Sequence, residues 1–133
     1  MIAPTEVTLG GRPLLILAYA DSLYAVQACR YFRRLGWEVH LAYSGPEARR
    51  LARRFEPTAV VLDTELANES GWLTCDKLRR ELPSRNVILV TPAATDERRE
   101  LAAFVGASAL VCRGGGINAL AEELLEVALP AVG

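Results

Sequence analysis

TAVVLDTELANESGW, residues 58–72, is the stretch on which the fold turns. Ala59, Val60, Val61 and Leu62 are apolar without alternation, the mark of a strand buried on both faces. The run closes on a carboxylate, Asp63, where a buried strand should be ending. Gly71 follows eight residues later and opens a helical pattern, GWLTCDKLRREL, that Pro83 stops. A buried strand, an acid at its carboxyl end and a helix behind it form one strand–helix unit of a parallel sheet.

The same unit recurs on either side. PLLILAY is an apolar run of strand length. From Ser22 the period changes, and Tyr24, Ala28, Tyr31, Phe32 and Leu35 predict one face of a helix that Gly36 terminates. WEVHLA alternates like a strand. In SGPEARRLARRFEP, Ser44 and Glu47 have the spacing of a capping box, Pro46 falls in the first turn and Pro57 ends the helix. NVILVT predicts a fourth strand and DERRELAAFVG a fourth helix, with Thr95 as its cap. ASALVC is a fifth strand. INALAEELLEVAL is a fifth helix, with Ile117, Leu120, Ala121, Leu124, Leu125 and Ala128 as its apolar stripe. Residues 1–12 and 130–133 read as tails around a domain of residues 13–129.

Five such units predict an α/β fold, a single doubly wound five-stranded parallel sheet flanked by five helices, in the order 2-1-3-4-5. In such sheets the chemistry lies at the carboxyl ends of the strands. The order of units brings four places to that edge: Ala20 and Asp21 after strand one, Asp63 at the end of strand three, Thr91 at the end of strand four and Arg113 at the end of strand five.

Composition narrows the function. The chain has 133 residues, 51% of them hydrophobic, and a formal net charge of -1. One domain with one core fits that length, and the charge speaks against nucleic-acid binding. No apolar run reaches the roughly 18 residues of a membrane span, and MIAPTEVTLGGRP lacks the features of a signal peptide. A cytoplasmic protein is expected. Cys29, Cys75 and Cys112 read as reduced thiols serving as small core residues, and His40 as a structural or surface residue. Trp37 reads as packing, and Trp72 as an anchor between surface and core. The arginine pairs at 33–34, 49–50, 53–54, 79–80 and 98–99 read as solvated helix faces. CRGGGIN, without a G-K-[ST], is no P-loop and reads as a flexible turn.

Several segments together resemble a response-regulator receiver (CheY-like) domain, of the flavodoxin-like fold, over nearly the whole chain. AVVLDTELANESGW is similar to the strand bearing that family's phosphoacceptor Asp and the Gly eight residues on. VILVTPAATDERRELAAFVGASALVCR is similar to its switch Thr, the Gly-Ala before the last strand and the final basic residue. Thr91 and Arg113 stand 22 positions apart, as the family's Thr and Lys do. The resemblance implies a two-component phosphorelay module. Asp63 would take a phosphoryl group from a sensor histidine kinase, Thr91 would grip it and Arg113 would pair with it. Mg2+ would be held by Asp63, by the backbone carbonyl of Glu65 and by an acidic pair after strand one.

The acidic pair falls on Tyr19 and Ala20, and neither can serve a hard cation. Asp21 lies one position off and could serve as a metal ligand only if the loop after strand one shifts. Arg113 replaces a Lys, a change of geometry and not only of size. Gly114 replaces the Pro after it, and Leu110 an aromatic. The resulting expectation is an atypical receiver, not an enzyme, with Asp63 paired to Arg113 and weak or no Mg2+-dependent phosphorylation. It would act through contacts with a protein partner, or as a homodimer through the face of helix 4, strand 5 and helix 5. The alternative is a working phosphoacceptor. LDTEL faintly resembles the D-x-D of haloacid-dehalogenase-type phosphatases, which leaves a small phosphatase as a third reading.

Overall fold

The computed structural model describes residues 12–128. The tail expected at residues 1–12 lies outside the described residues except for Arg12, and so do Leu129 and the tail at 130–133. The elements run β1 (Leu14–Ala18), α1 (Ser22–Arg34), β2 (Glu38–Ala42), α2 (Gly45–Phe55), β3 (Ala59–Asp63), α3 (Gly71–Glu81), β4 (Asn86–Thr91), α4 (Asp96–Phe104), β5 (Ala109–Cys112), one 3-10 turn (Arg113–Gly115) and α5 (Gly116–Ala128). The five strands form one parallel sheet in the order β2-β1-β3-β4-β5.

Alternation along the strands divides the interior into two layers. Leu15, Leu17, Val39, Val61, Ile88, Val90 and Val111 pack against Ala28, Phe32, Leu120 and Leu124 of α1 and α5. Ile16, Ala18, Val60, Leu62, Val87 and Leu89 face Ala48, Ala52, Cys75, Leu78 and Ala102 of α2, α3 and α4. Each large aliphatic side chain buried this way contributes about 1.5–3 kcal/mol. The helices start on side-chain caps: Asp21 for α1, Ser44 for α2, Ser70 for α3 and Thr95 for α4. Ser44 accepts from the Glu47 N–H at 3.2 Å, while the Glu47 carboxylate accepts from the Tyr43 N–H at 2.8 Å. Gly36, at a φ of +100°, turns the chain out of α1.

Leu35, Leu125 and Cys112 depart from what their sequence positions predict. Leu35 is 60% exposed and Leu125 58%. Leu35 follows the last turn of α1 as its C-cap, and Leu125 is carried off the buried line of Leu120 and Leu124 by the helical rotation. Cys29 and Cys75 are core residues, and burial pushes the Cys75 thiol up to about 12. Cys112 is only half-buried, because it ends β5 at the sheet edge, with its Sγ 3.5 Å from the Pro92 carbonyl. CRGGGIN is a 3-10 turn feeding directly into α5, with Gly116 at a φ of +74°. His40 is half-buried, pairs with Glu38 at 2.8 Å and stacks on Phe55.

Candidate functional site

Asp63 is the last residue of β3, in the middle of the sheet, and is fully buried. Its carboxylate is held by three donors. Oδ1 accepts from the Glu65 N–H at 2.9 Å. Oδ2 accepts from the Ala20 N–H at 3.2 Å and from Arg113 Nη2 at 2.9 Å. A carboxylate out of water needs such partners, and two of the three come from the ends of β1 and β5. Gly71 explains the glycine eight residues on. A Cβ there would lie 2.3 Å from the Asp63 carbonyl oxygen and 2.8 Å from the Thr64 Cα, so no side chain fits where α3 begins.

The parallel register pairs Asp63 with Val90 and Thr91 with Cys112, which sets Thr91 and Arg113 at the same edge. Arg113 begins the 3-10 turn, with its side chain 32% exposed and its guanidinium 5.9 Å from the centre of the Tyr19 ring. Its Nε is buried without a partner.

The positions after β1 supply no carboxylate towards Asp63. Tyr19 continues the inward alternation of Leu15 and Leu17, and its ring lies 4.5 Å from that of Tyr24. Burial, followed by the neighbouring Tyr24 and Asp63, pushes its phenol far above the usual tyrosine range, so it stays neutral. Ala20 contributes its backbone N–H and is itself exposed. Asp21 is exposed, and its Oδ1 accepts from the N–H groups of Leu23 (3.0 Å) and Tyr24 (3.2 Å) as the cap of α1. Among the described residues no three acidic, His or Cys side chains gather as a metal site. Of the positions expected to hold Mg2+, Asp63 is the one whose side-chain carboxylate stands at this edge, and Asp21 is engaged as the cap of α1.

Thr91 is buried, and its hydroxyl donates to the Ala93 carbonyl at 3.2 Å and accepts from Arg98 Nη1. Arg98 was expected on a solvated face. It stands in the first turn of α4, so its side chain turns back over the sheet edge. There it lies 3.5 Å from Glu65 Oε2 and 6.0 Å from the centre of the Trp72 ring. Glu65 Oε2 also accepts from the Thr64 hydroxyl at 3.0 Å. Trp72 is accordingly half-buried beside the site.

Glu69 is a second residue that sequence reasoning passed over. It sits in the loop between β3 and α3 with its side chain 7% exposed. The Arg49 fork meets both its oxygens, Nε and Nη2 each at 3.0 Å, and the Thr74 hydroxyl (2.7 Å) and Lys77 Nζ (3.0 Å) complete the set. Burial alone would raise this carboxyl, but the hydrogen bonds from Arg49, Thr74 and Lys77 outweigh it and bring it down to about 2. Arg49 is thus another arginine that is not solvated, 17% exposed and fixed on a buried acid. The network ties the loop that follows Asp63 to α2.

Comparison with known proteins gives consistent results. The response regulator receiver domain model matches residues 20–124. The "Probable transcriptional regulatory protein TcrX" of Mycobacterium tuberculosis is 36% identical over 90 residues, 67% of this chain. The chain spans 38% of the length of that relative. Among solved structures, a receiver domain of Francisella response regulator 1452 superposes with a TM-score of 0.82 at 19% identity, covering 88% of this chain and 97% of the other. A LuxR-family DNA-binding response regulator from Staphylococcus aureus gives 0.80 at 23% identity, covering 87% and 98%. The chemotaxis protein CheY4 of Vibrio cholerae gives 0.81 at 17% identity, covering 88% and 99%.

Proposed function

The chain belongs to the response regulator receiver family, and from that premise we propose that it is an atypical receiver that signals through protein contacts. It is a response regulator receiver domain of a two-component system. In our reading Asp63 is held by Arg113, and phosphorylation with Mg2+ is weak or absent. The observation that carries this is the composition of the Asp63 pocket. Neither position after β1 offers a carboxylate, Asp21 caps α1, and an arginine fork occupies Oδ2.

An Asp carboxylate attacks a phosphoryl group well only when positive charge gathers the transferring oxygens in line with it. Magnesium bound beside Asp63 would supply that charge. Here the cations at this edge are guanidiniums already paired, Arg113 with Asp63 and Arg98 with Glu65. The pocket therefore holds its edge in one arrangement, and information passes by docking. The face made by α4, β5 and α5 suits a protein partner, such as a sensor histidine kinase or an output protein. Phe104 is 84% exposed there and Leu101 stands one turn before it. We place this activity in the cytoplasm, where a kinase would meet the domain, and assign the chain no catalytic turnover.

Intact mass after incubation with acetyl phosphate, with and without Mg2+, tests the reading against an Asp63→Asn control. No adduct under conditions that label an ordinary receiver is the expected result. A Mg2+-dependent phosphoryl adduct lost in the Asp63→Asn protein would overturn it and make Asp63 a working phosphoacceptor.

A further inference from the structure

An apolar groove of about 390 Å³ opens at the far end of the sheet from Asp63, walled by Tyr31, Phe32 and Leu35 on one side and Ala121, Leu124 and Leu125 on the other, with Trp37 beneath. Its two rims are the leucines that depart from the helical stripes, Leu35 and Leu125. The helices beside it carry opposite charge. α1 has three arginines, Arg30, Arg33 and Arg34, and no acid. α5 has three glutamates, Glu122, Glu123 and Glu126, and no base. Among the described residues none of these six side chains enters an ion pair. Arg33 alone is engaged, donating from Nη2 to the Val39 carbonyl at 2.9 Å.

We propose that this groove is the docking surface for a second copy of the chain, in a two-fold dimer whose axis runs along the groove. The charge pattern selects both the occupant and the axis. Both helices run against the strand direction and so run parallel to each other. A two-fold axis along the groove lays each α1 over the α5 of the second copy, the outward Arg30 and Arg34 over Glu122 and Glu126, with Leu35 and Leu125 covered at the centre. A two-fold axis across the groove lays α1 on α1 and α5 on α5, like charge on like. An isologous interface must be self-complementary, and opposite walls around an apolar centre provide that within one surface. The proposal does not depend on the chemistry of Asp63, and it leaves the face of α4 and β5 free for a different protein.

Light scattering on the eluting full chain, loaded over a wide concentration range, reads the oligomeric state. A mass of two chains is expected, with dissociation promoted by salt because the walls are exposed. Leu125→Asp lies at a position exposed in the single chain, so at concentrations where the parent is monomeric its thermal melting stays close to the parent's, while it elutes as a monomer where the parent elutes as a dimer. Arg30→Glu with Arg34→Glu, or Glu122→Arg with Glu126→Arg, weakens the dimer about tenfold, and all four changes together restore it to within about threefold. A monomer at every concentration overturns the proposal. So does a dimer that survives Leu125→Asp and falls apart with Phe104→Asp, which would put the second copy on α4. Failure of the fourfold reversal to recover would overturn the axis.

Discussion

Arg113 Nη2 lies 2.9 Å from Asp63 Oδ2, so the first residue after β5 is tied to the last residue of β3 across the intervening strand. Removing the guanidinium leaves a buried carboxylate with two backbone N–H donors and no countercharge. Arg113→Ala is expected to cost about 1–2 kcal/mol, less than for a wholly buried pair because the arginine is partly solvated. Asp63→Asn keeps the shape without the charge and should cost less. Urea unfolding of both single variants and the double variant measures the coupling. Equal losses that simply add would mean that the pair does not hold the edge.

Gly71 makes a sharper steric prediction. With the Asp63 carbonyl oxygen 2.3 Å from the added Cβ, Gly71→Ala must push the start of α3 off the sheet. A loss of about 3 kcal/mol or more, or failure to fold, is expected. Gly114→Ala is the matched control. Its nearest neighbour is the Cys112 Sγ at 3.8 Å, an ordinary contact, so the change should stabilise by a few tenths of a kcal/mol up to about 1. Thermal melts of the two variants moving in the same direction would contradict this.

Glu69 predicts an acid limb. Its carboxyl lies at about 2 in the fold against an ordinary value of 4.5. A depressed carboxyl stabilises the fold above its unfolded value and loses that contribution as pH falls towards its folded one. On the order of 3 kcal/mol should therefore be present at neutral pH and disappear between about pH 4.5 and 2. Glu69→Gln should be less stable than the parent at pH 7 and approach it at the acid end. Unfolding midpoints across that range measure it, and parallel curves for the two proteins would remove Glu69 as the cause.

Much of this architecture is legible in residue order alone. The apolar runs around Ile16, Val61 and Leu89, each followed by a helical period, could pack only as a parallel sheet covered on both faces. Its order then put Asp63, Thr91 and Arg113 on one edge. Local rules also found the caps at Ser44 and Thr95, whose partners lie three residues away. What stayed hidden depends on distance in the chain. Glu69 meets Arg49 from 20 residues away and Arg98 meets Glu65 from 33, so neither arginine differs in sequence from a solvated one. Leu35 and Leu125 count with their stripes by spacing, but Leu35 falls just past the last turn of α1 and Leu125 sits at the margin of the line set by Leu120 and Leu124.

The missing donors after β1 give a gain-of-function prediction. Ala20 is exposed, follows β1 and already approaches Asp63 with its N–H at 3.2 Å. A carboxylate there would join Asp63 and the Glu65 carbonyl, and Mg2+ is commonly held by one or two carboxylates with water completing its octahedron. Ala20→Asp is therefore expected to confer saturable Mg2+ binding that the parent lacks. Trp72, beside Arg98 at the same edge, reports it as a change in emission on titration, with Trp37 replaced by Phe to remove the second signal. If the parent binds Mg2+ as well as the Ala20→Asp protein, the donor set around Asp63 is complete without the acidic pair. The atypical reading would then fail at its metal site. If only the variant responds, the lost carboxylates are what separate this pocket from a phosphorylatable one, and adding acetyl phosphate to the variant should yield an adduct on Asp63.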